Sequence, residues 1–141
     1  MAQMESIKNV ALAGHGGTGK STLFESLLFA GGAIAKTEVV GSGKTVGMNA
    51  PDELERGISI RTSLASFERD GVKVNLFDTP GASDFTGEVI LAFRASEFAA
   101  LTVDGRAGVQ IETIKLWRNL EERKKPRAVI VTKMDEKTAD F

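Results

Sequence analysis

The residues Gly14-His15-Gly16-Gly17-Thr18-Gly19-Lys20-Ser21 carry the spacing G-x-x-x-x-G-K-[ST], and each type in it suits a polyphosphate. Glycines let the backbone wrap so that several N–H groups point inward. A helix starting directly after them adds the positive end of its dipole. Lys20 is expected to reach the β- and γ-phosphates, and the Ser21 hydroxyl to ligate Mg²⁺. On this side the expected nucleotide contacts are His15, Gly16, Gly17, Thr18, Gly19, Lys20, Ser21 and Thr22. His15 is the only histidine of the chain and reads as a structural loop residue rather than a catalytic one.

Two further groups complete the chemistry. Leu76-Phe77-Asp78-Thr79-Pro80-Gly81 places a carboxylate at the end of an apolar run and a turn behind it. Behind a phosphate loop, such an aspartate holds Mg²⁺, commonly through water, while the Gly81 N–H meets a γ-phosphate oxygen. Lys20 and Gly81 are therefore the expected catalytic pair. Taken alone, Asp-Thr-Pro-Gly could be a plain turn. Thr132-Lys133-Met134-Asp135 follows the last apolar run. A carboxylate there can accept from both guanine N1–H and the 2-amino group, a donor pair that adenine lacks, so the wrong base leaves buried polar groups unpaired. Lys133 can lay its stem and charge across the base. Ser59, in Glu55-Arg56-Gly57-Ile58-Ser59-Ile60, could touch Mg²⁺ from a loop ordered by the γ-phosphate, although its spacing alone leaves that role open.

The elements that must position these groups alternate between short apolar runs and longer helical patterns. Val10 to Ala13 reads as a buried strand, and Leu23, Phe24, Leu27 and Leu28 as a helix ending at Gly31-Gly32. About Ala35 to Arg56 shows no periodicity, an uncommon length of irregular chain that is usually functional or mobile. Ile58 to Phe67 and Val72 to Phe77 are predicted strands joined by Arg69-Asp70-Gly71, a hairpin signal. Phe85, Val89 and Phe93 mark a second helix, Ala99 to Val103 a strand, and Val109, Thr113, Leu116, Trp117 and Leu120 a third helix. Glu121 to Lys125 is its solvated end, and Ala128 to Val131 is the last strand. The pattern predicts one α/β domain over residues 1–141: a mostly parallel sheet, one antiparallel edge strand, and helices on both faces.

Composition narrows the classes. At 141 residues with 42% hydrophobic and 26% charged content, the chain matches an ordinary globular domain. A net charge of −1 gives no direct nucleic-acid signal in this segment. Having no cysteine excludes disulfides, thiolate ligands and thiol nucleophiles. No run approaches the roughly 18–20 apolar residues of a membrane span. The first residues lack a secretion signal, so a cytoplasmic location is expected.

In this order, the segments resemble translational GTPases, and most of all elongation factor G, its paralogues and the ribosomal protection proteins. The likeness runs from about Ile7 to Glu136 and includes Asp84-Phe85, Asp104-Gly105 and Gly108-Val109-Gln110. It implies a P-loop fold, a GTP-hydrolysing switch with Mg²⁺ and GTP or GDP, a ribosomal partner reached through a larger factor, and Ser59 as a Mg²⁺ and γ-phosphate ligand. It also implies that the domain continues past Asp135 with a further base-contacting loop, strand and helix, so the chain is expected to be an N-terminal portion whose last strand has an unpaired edge. Four positions depart from the family. Gly17 stands for an aspartate and Gly16 for an apolar residue, while Ser59 replaces threonine and Thr132 replaces asparagine. A fifth departure is more serious: Ala82 occupies the place of the histidine that positions the attacking water. Groups of that kind contribute about 10²–10⁴-fold, so hydrolysis is expected to be weak. The alternatives are a GTP/GDP-binding regulatory module with essentially no turnover and no translocase role, and an ATP-using P-loop enzyme, against which Asp135 argues.

Overall fold

In the computed structural model, residues 6–140 are described, and they form a five-stranded sheet with helices on both faces. The strands are β1 (Ile7–Gly14), β2 (Ser63–Arg69), β3 (Val72–Asp78), β4 (Phe98–Asp104) and β5 (Arg127–Thr132), in the spatial order β2-β3-β1-β4-β5. The β1–β3, β1–β4 and β4–β5 pairs are parallel, and β2 joins β3 antiparallel at one edge. At the opposite edge β5 pairs with β4, and among the described residues no strand lies outside it. Val129 on β5 is 48% exposed there.

The helices are α1 (Lys20–Ala30), α2 (Pro51–Arg56), α3 (Thr86–Ala95) and α4 (Ile111–Glu122). Strand alternation sends Leu12, Leu76 and Ala100 to one face, where Phe24 and Leu28 of α1 cover them. Ala11, Ala13, Ala99 and Leu101 point to the other, under Val89, Ala92 and Phe93 of α3 and Leu116 and Leu120 of α4. Each large side chain so buried contributes about 1.5–3 kcal/mol. On the α3/α4 side β1 presents the small residues Ala11 and Ala13, and β4 presents Ala99 and Leu101.

Local chemistry explains the ends. Helix α1 stops at Gly31-Gly32 because the Gly32 and Ala33 N–H groups turn back to the carbonyls of Phe29 (3.0 Å) and Leu28 (2.9 Å). The β2–β3 hairpin closes on Asp70 (φ 52°) and Gly71 (φ 78°), both left-handed, as a two-residue turn matched to strand twist requires.

Three expectations are corrected. The stretch predicted to be irregular contains the short helix α2, with Pro51 at its start and Gly57 closing it. The strand predicted from Ile58 begins only at Ser63. Val109, assigned above to the third helix, precedes α4 and is exposed. A 3₁₀ turn over Ser83–Phe85 leads into α3.

Candidate functional site

Loops following the carboxyl ends of the parallel strands meet at one end of the sheet, where open α/β folds place their ligands. The phosphate-loop sequence links the end of β1 to the start of α1. A cleft of about 280 Å³ opens beside it, whose walls include Gly17, Lys20 and Ser21 from this loop, Ser59 from the segment after α2, and Gly81 and Ala82 after β3. Gly16, Gly19, Thr22 and Lys133 also face it. Residues far apart in sequence are thus brought around one space.

Lys20 is almost fully buried, and its Nζ donates to the carbonyls of Gly14 (3.0 Å) and His15 (2.9 Å). Burial lowers its pKa to about 8, with the nearby Asp78 carboxylate opposing. Gly81 packs so tightly that a Cβ would lie 2.5 Å from Lys20 Nζ and 2.7 Å from Gly16 Cα. No other residue type fits there without moving the loop.

Asp78 ends β3 beneath the loop and is 1% exposed; the Ser21 hydroxyl is its near polar neighbour, but neither carboxylate oxygen has a hydrogen bond of ordinary geometry among the described residues. Burial pushes its carboxyl up to about 6, while the Ser21 hydroxyl and Lys20 pull the other way. Two buried, unsatisfied anionic oxygens beside a hydroxyl are donors for a hard cation. Among the described residues no group of three His, Cys, Asp or Glu side chains surrounds a common point. Asp78 and Ser21 could hold such a cation, and Ser59 faces the same cleft as Ser21.

Four predicted nucleotide contacts, His15, Thr18, Thr132 and Asp135, do not line the cleft, and neither does the predicted metal ligand Asp78. Thr18 is buried under the loop, with its hydroxyl 2.9 Å from His15 O and 2.7 Å from the Thr102 hydroxyl. His15 is half-buried, and its Nδ1 has no partner among the described residues. Asp135 is exposed, beyond the rim. The base-reading segment nevertheless attaches to the phosphate loop. The Thr132 hydroxyl lies 2.8 Å from Thr18 O and 3.1 Å from Val103 O, so a single proton ties β5 to that loop. Lys133 Nζ donates to Gly17 O and to Asp104 Oδ2, both at 2.6 Å. Its backbone is left-handed (φ 58°), a conformation that costs a non-glycine residue about 1 kcal/mol or more and clusters at functional sites.

Sequence reasoning assigned no role to several groups that build this arrangement. Asp104 ends β4 and holds both Arg106 and Lys133, and these cations keep its carboxyl well below the usual carboxylate range. Its place at the carboxyl end of a parallel strand was the available signal. Glu25 of α1 is buried and accepts from Val46 N–H at 2.5 Å. Glu53 of α2 accepts from Ile60 N–H (2.8 Å) and Arg61 N–H (3.1 Å). No pattern in the sequence marks an acid for burial in this way.

Residues 5–141 match the family described as the elongation factor Tu GTP binding domain. The chain belongs to that family. This G-domain chain is 40% identical over its whole length to an elongation factor G-like protein of Thermotoga maritima, covering 20% of that protein. It is 38% identical over 135 residues to the mitochondrial ribosome-releasing factor 2 of Drosophila ananassae, covering 96% of this chain and 18% of that one. A crystal structure from Thermus thermophilus superposes with a TM-score of 0.88 at 39% identity, over 92% of this chain and 20% of that one. The elongation factor SelB of Methanococcus maripaludis, solved with a GTP analogue, shares the fold with a TM-score of 0.69 over 91% of this chain and 22% of that one, at 22% identity. This G domain thus spans about a fifth of the length of such relatives. It is a GTP-binding domain of that family, with guanine nucleotide as its ligand. Among the described residues no helix is long and apolar enough to cross a membrane.

Proposed function

We propose that this G domain binds GTP and GDP with Mg²⁺ as the switch of an elongation factor G-like translation factor, and that it hydrolyses GTP slowly. Asp78 is the observation that carries the reading: both its oxygens are buried, without a hydrogen bond of ordinary geometry, beside Ser21 and Lys20 and under a loop built for phosphate. Mg²⁺, when bound, would screen the β- and γ-phosphate charge. Lys20 would turn from the Gly14 and His15 carbonyls to the phosphates, trading two neutral acceptors for anionic ones. The Gly16 to Ser21 amides would cradle the β-phosphate, and the Gly81 N–H would meet the γ-phosphate. Ser59, across the cleft, would add its hydroxyl when the γ-phosphate is present. Thr132 and Lys133 would hold the base-reading loop against the phosphate loop, and Asp135 would accept from the guanine N1–H and 2-amino groups.

Slow hydrolysis follows from Ala82, which lines the cleft next to Gly81. A methyl group neither orients water nor relays a proton, and the one histidine, His15, lies in the phosphate loop outside the cleft lining. The same residue favours a second reading, a GTP/GDP-binding module with essentially no turnover. Single-turnover GTP hydrolysis with and without ribosomes separates the two. A rate raised by ribosomes supports the first reading, and no hydrolysis in either condition supports the second. The ribosome enters as partner through the relatives' names, and in them this domain is one part of a longer factor.

A further inference from the structure

The segment that carries Ser59 into the cleft is folded back on α2 by one side chain. Glu53 is 4% exposed, although it sits on a six-residue helix at the surface. Its backbone carbonyl accepts from Ile58 N–H (3.2 Å), and its carboxylate Oε1 accepts from both Ile60 N–H (2.8 Å) and Arg61 N–H (3.1 Å). The amides on both sides of Ser59 therefore end on one residue. Farther along, Thr62 N–H donates to Glu88 on α3 (2.9 Å), which fixes the distal end of the same loop. An outer ion pair between Asp52 and Arg61 (2.9 Å) is exposed and adds little.

A buried carboxylate is costly unless its charge is met, and here backbone amides meet it. Apolar packing does not explain the choice of residue, since the loop it holds contributes no residue to either core cluster. What the contact does accomplish is to tie down the backbone on both sides of Ser59, and so the place from which its side chain reaches the cleft. We propose that Glu53 is a positioning residue for the triphosphate state: through its grip on Ile60 and Arg61 it presents Ser59 to the γ-phosphate side of the cleft and so sets how strongly the domain distinguishes GTP from GDP. This rests on the reading that Ser59 meets the triphosphate and its metal.

The test is a double-mutant cycle in this chain, read with a fluorescent non-hydrolysable GTP analogue and with fluorescent GDP, both with Mg²⁺. Ser59→Ala is expected to weaken the analogue by about tenfold, the scale of one hydrogen bond to a charged group, and GDP by less than about twofold. Glu53→Ala should reproduce that split. The double variant should fall within about twofold of either single one, because Glu53 acts through Ser59. Glu53→Gln keeps an acceptor oxygen at the same reach and should restore most of the analogue affinity. If Glu53→Ala does not fold, Glu53→Asp withdraws the carboxylate by one methylene and should show the same split. An unchanged analogue affinity in the Glu53 variants, beside a weakened Ser59→Ala, would overturn the proposal. So would equal losses for GDP and the analogue, or losses that multiply in the double variant. Ser59→Ala binding both ligands normally would instead sink the assignment of Ser59 itself, whatever Glu53 does.

Discussion

Replacing Asp78 by asparagine should make the nucleotide-free domain more stable while removing its Mg²⁺-dependent affinity. The carboxyl has an ordinary pKa of 3.8, and burial raises it to about 6 in the folded chain even with Lys20 close by. That interval is roughly two decades of proton affinity at about 1.4 kcal/mol each, so the ionised carboxylate costs the fold ~3 kcal/mol at neutral pH. A raised folded pKa means that the folded chain holds its proton longer than the unfolded one. The penalty is therefore complete above about pH 7, shrinks as pH falls through 6, and is gone below about 3.8. Asparagine carries no charge but leaves its own amide poorly paired, at about 1 kcal/mol, so a net gain of ~1–2 kcal/mol is expected at pH 8. That corresponds to roughly 3–8 °C in the melting midpoint for a domain of this size. Thermal or urea unfolding of both proteins at pH 8 and pH 5, without nucleotide, measures it. An Asp78→Asn protein that is no more stable at pH 8, or whose advantage does not shrink at pH 5, would show that the buried carboxylate carries no such penalty.

The remaining predictions concern the cleft. Ala82→His is expected to speed GTP hydrolysis by tenfold or more in single turnover, and an acceleration below about threefold would show that this position does not limit turnover. Gly81→Ala drives a methyl into Lys20 and Gly16, so loss of both GTP and GDP binding is expected by titration, and retained affinity would contradict the packing. Lys20→Ala should weaken GTP and GDP alike, by about 100-fold, through loss of charge-assisted bonds, again read by titration. Mg²⁺-dependent affinity should fall as pH drops through about 6, where Asp78 takes up its proton, and a flat profile between pH 5 and 8 would place the metal elsewhere.

Much of the fold was legible because its signals are local. Asp70-Gly71 encodes a turn by backbone preference alone, and the apolar runs of β1, β4 and β5 are short and bounded by glycine, proline or polar residues. The phosphate loop is a contiguous motif, so its place between β1 and α1 followed from the same signals. Helix α2 was missed because six residues with no apolar stripe have no period to detect, although Pro51 and Gly57 bracket them. The late start of β2 has the same origin. Residues 60–62 give their N–H groups to Glu53 and Glu88 instead of to a neighbouring strand, a tertiary choice that the β-branched and apolar residues there do not announce. The pairing of Lys133 with Asp104 spans 29 residues and two strands, and only the folded sheet brings them together.

Nucleotide choice is the property on which all three binding groups bear at once. Titration of this chain with fluorescent GDP and Mg²⁺, followed by competition with unlabelled GTP, GDP and ATP, joins the phosphate loop, Asp78 and Asp135 in one experiment. Displacement by GTP and GDP, with ATP weaker by at least about 100-fold, is the predicted result. Displacement by ATP as readily as by GTP would contradict it, since Asp135 would then not be reading the base.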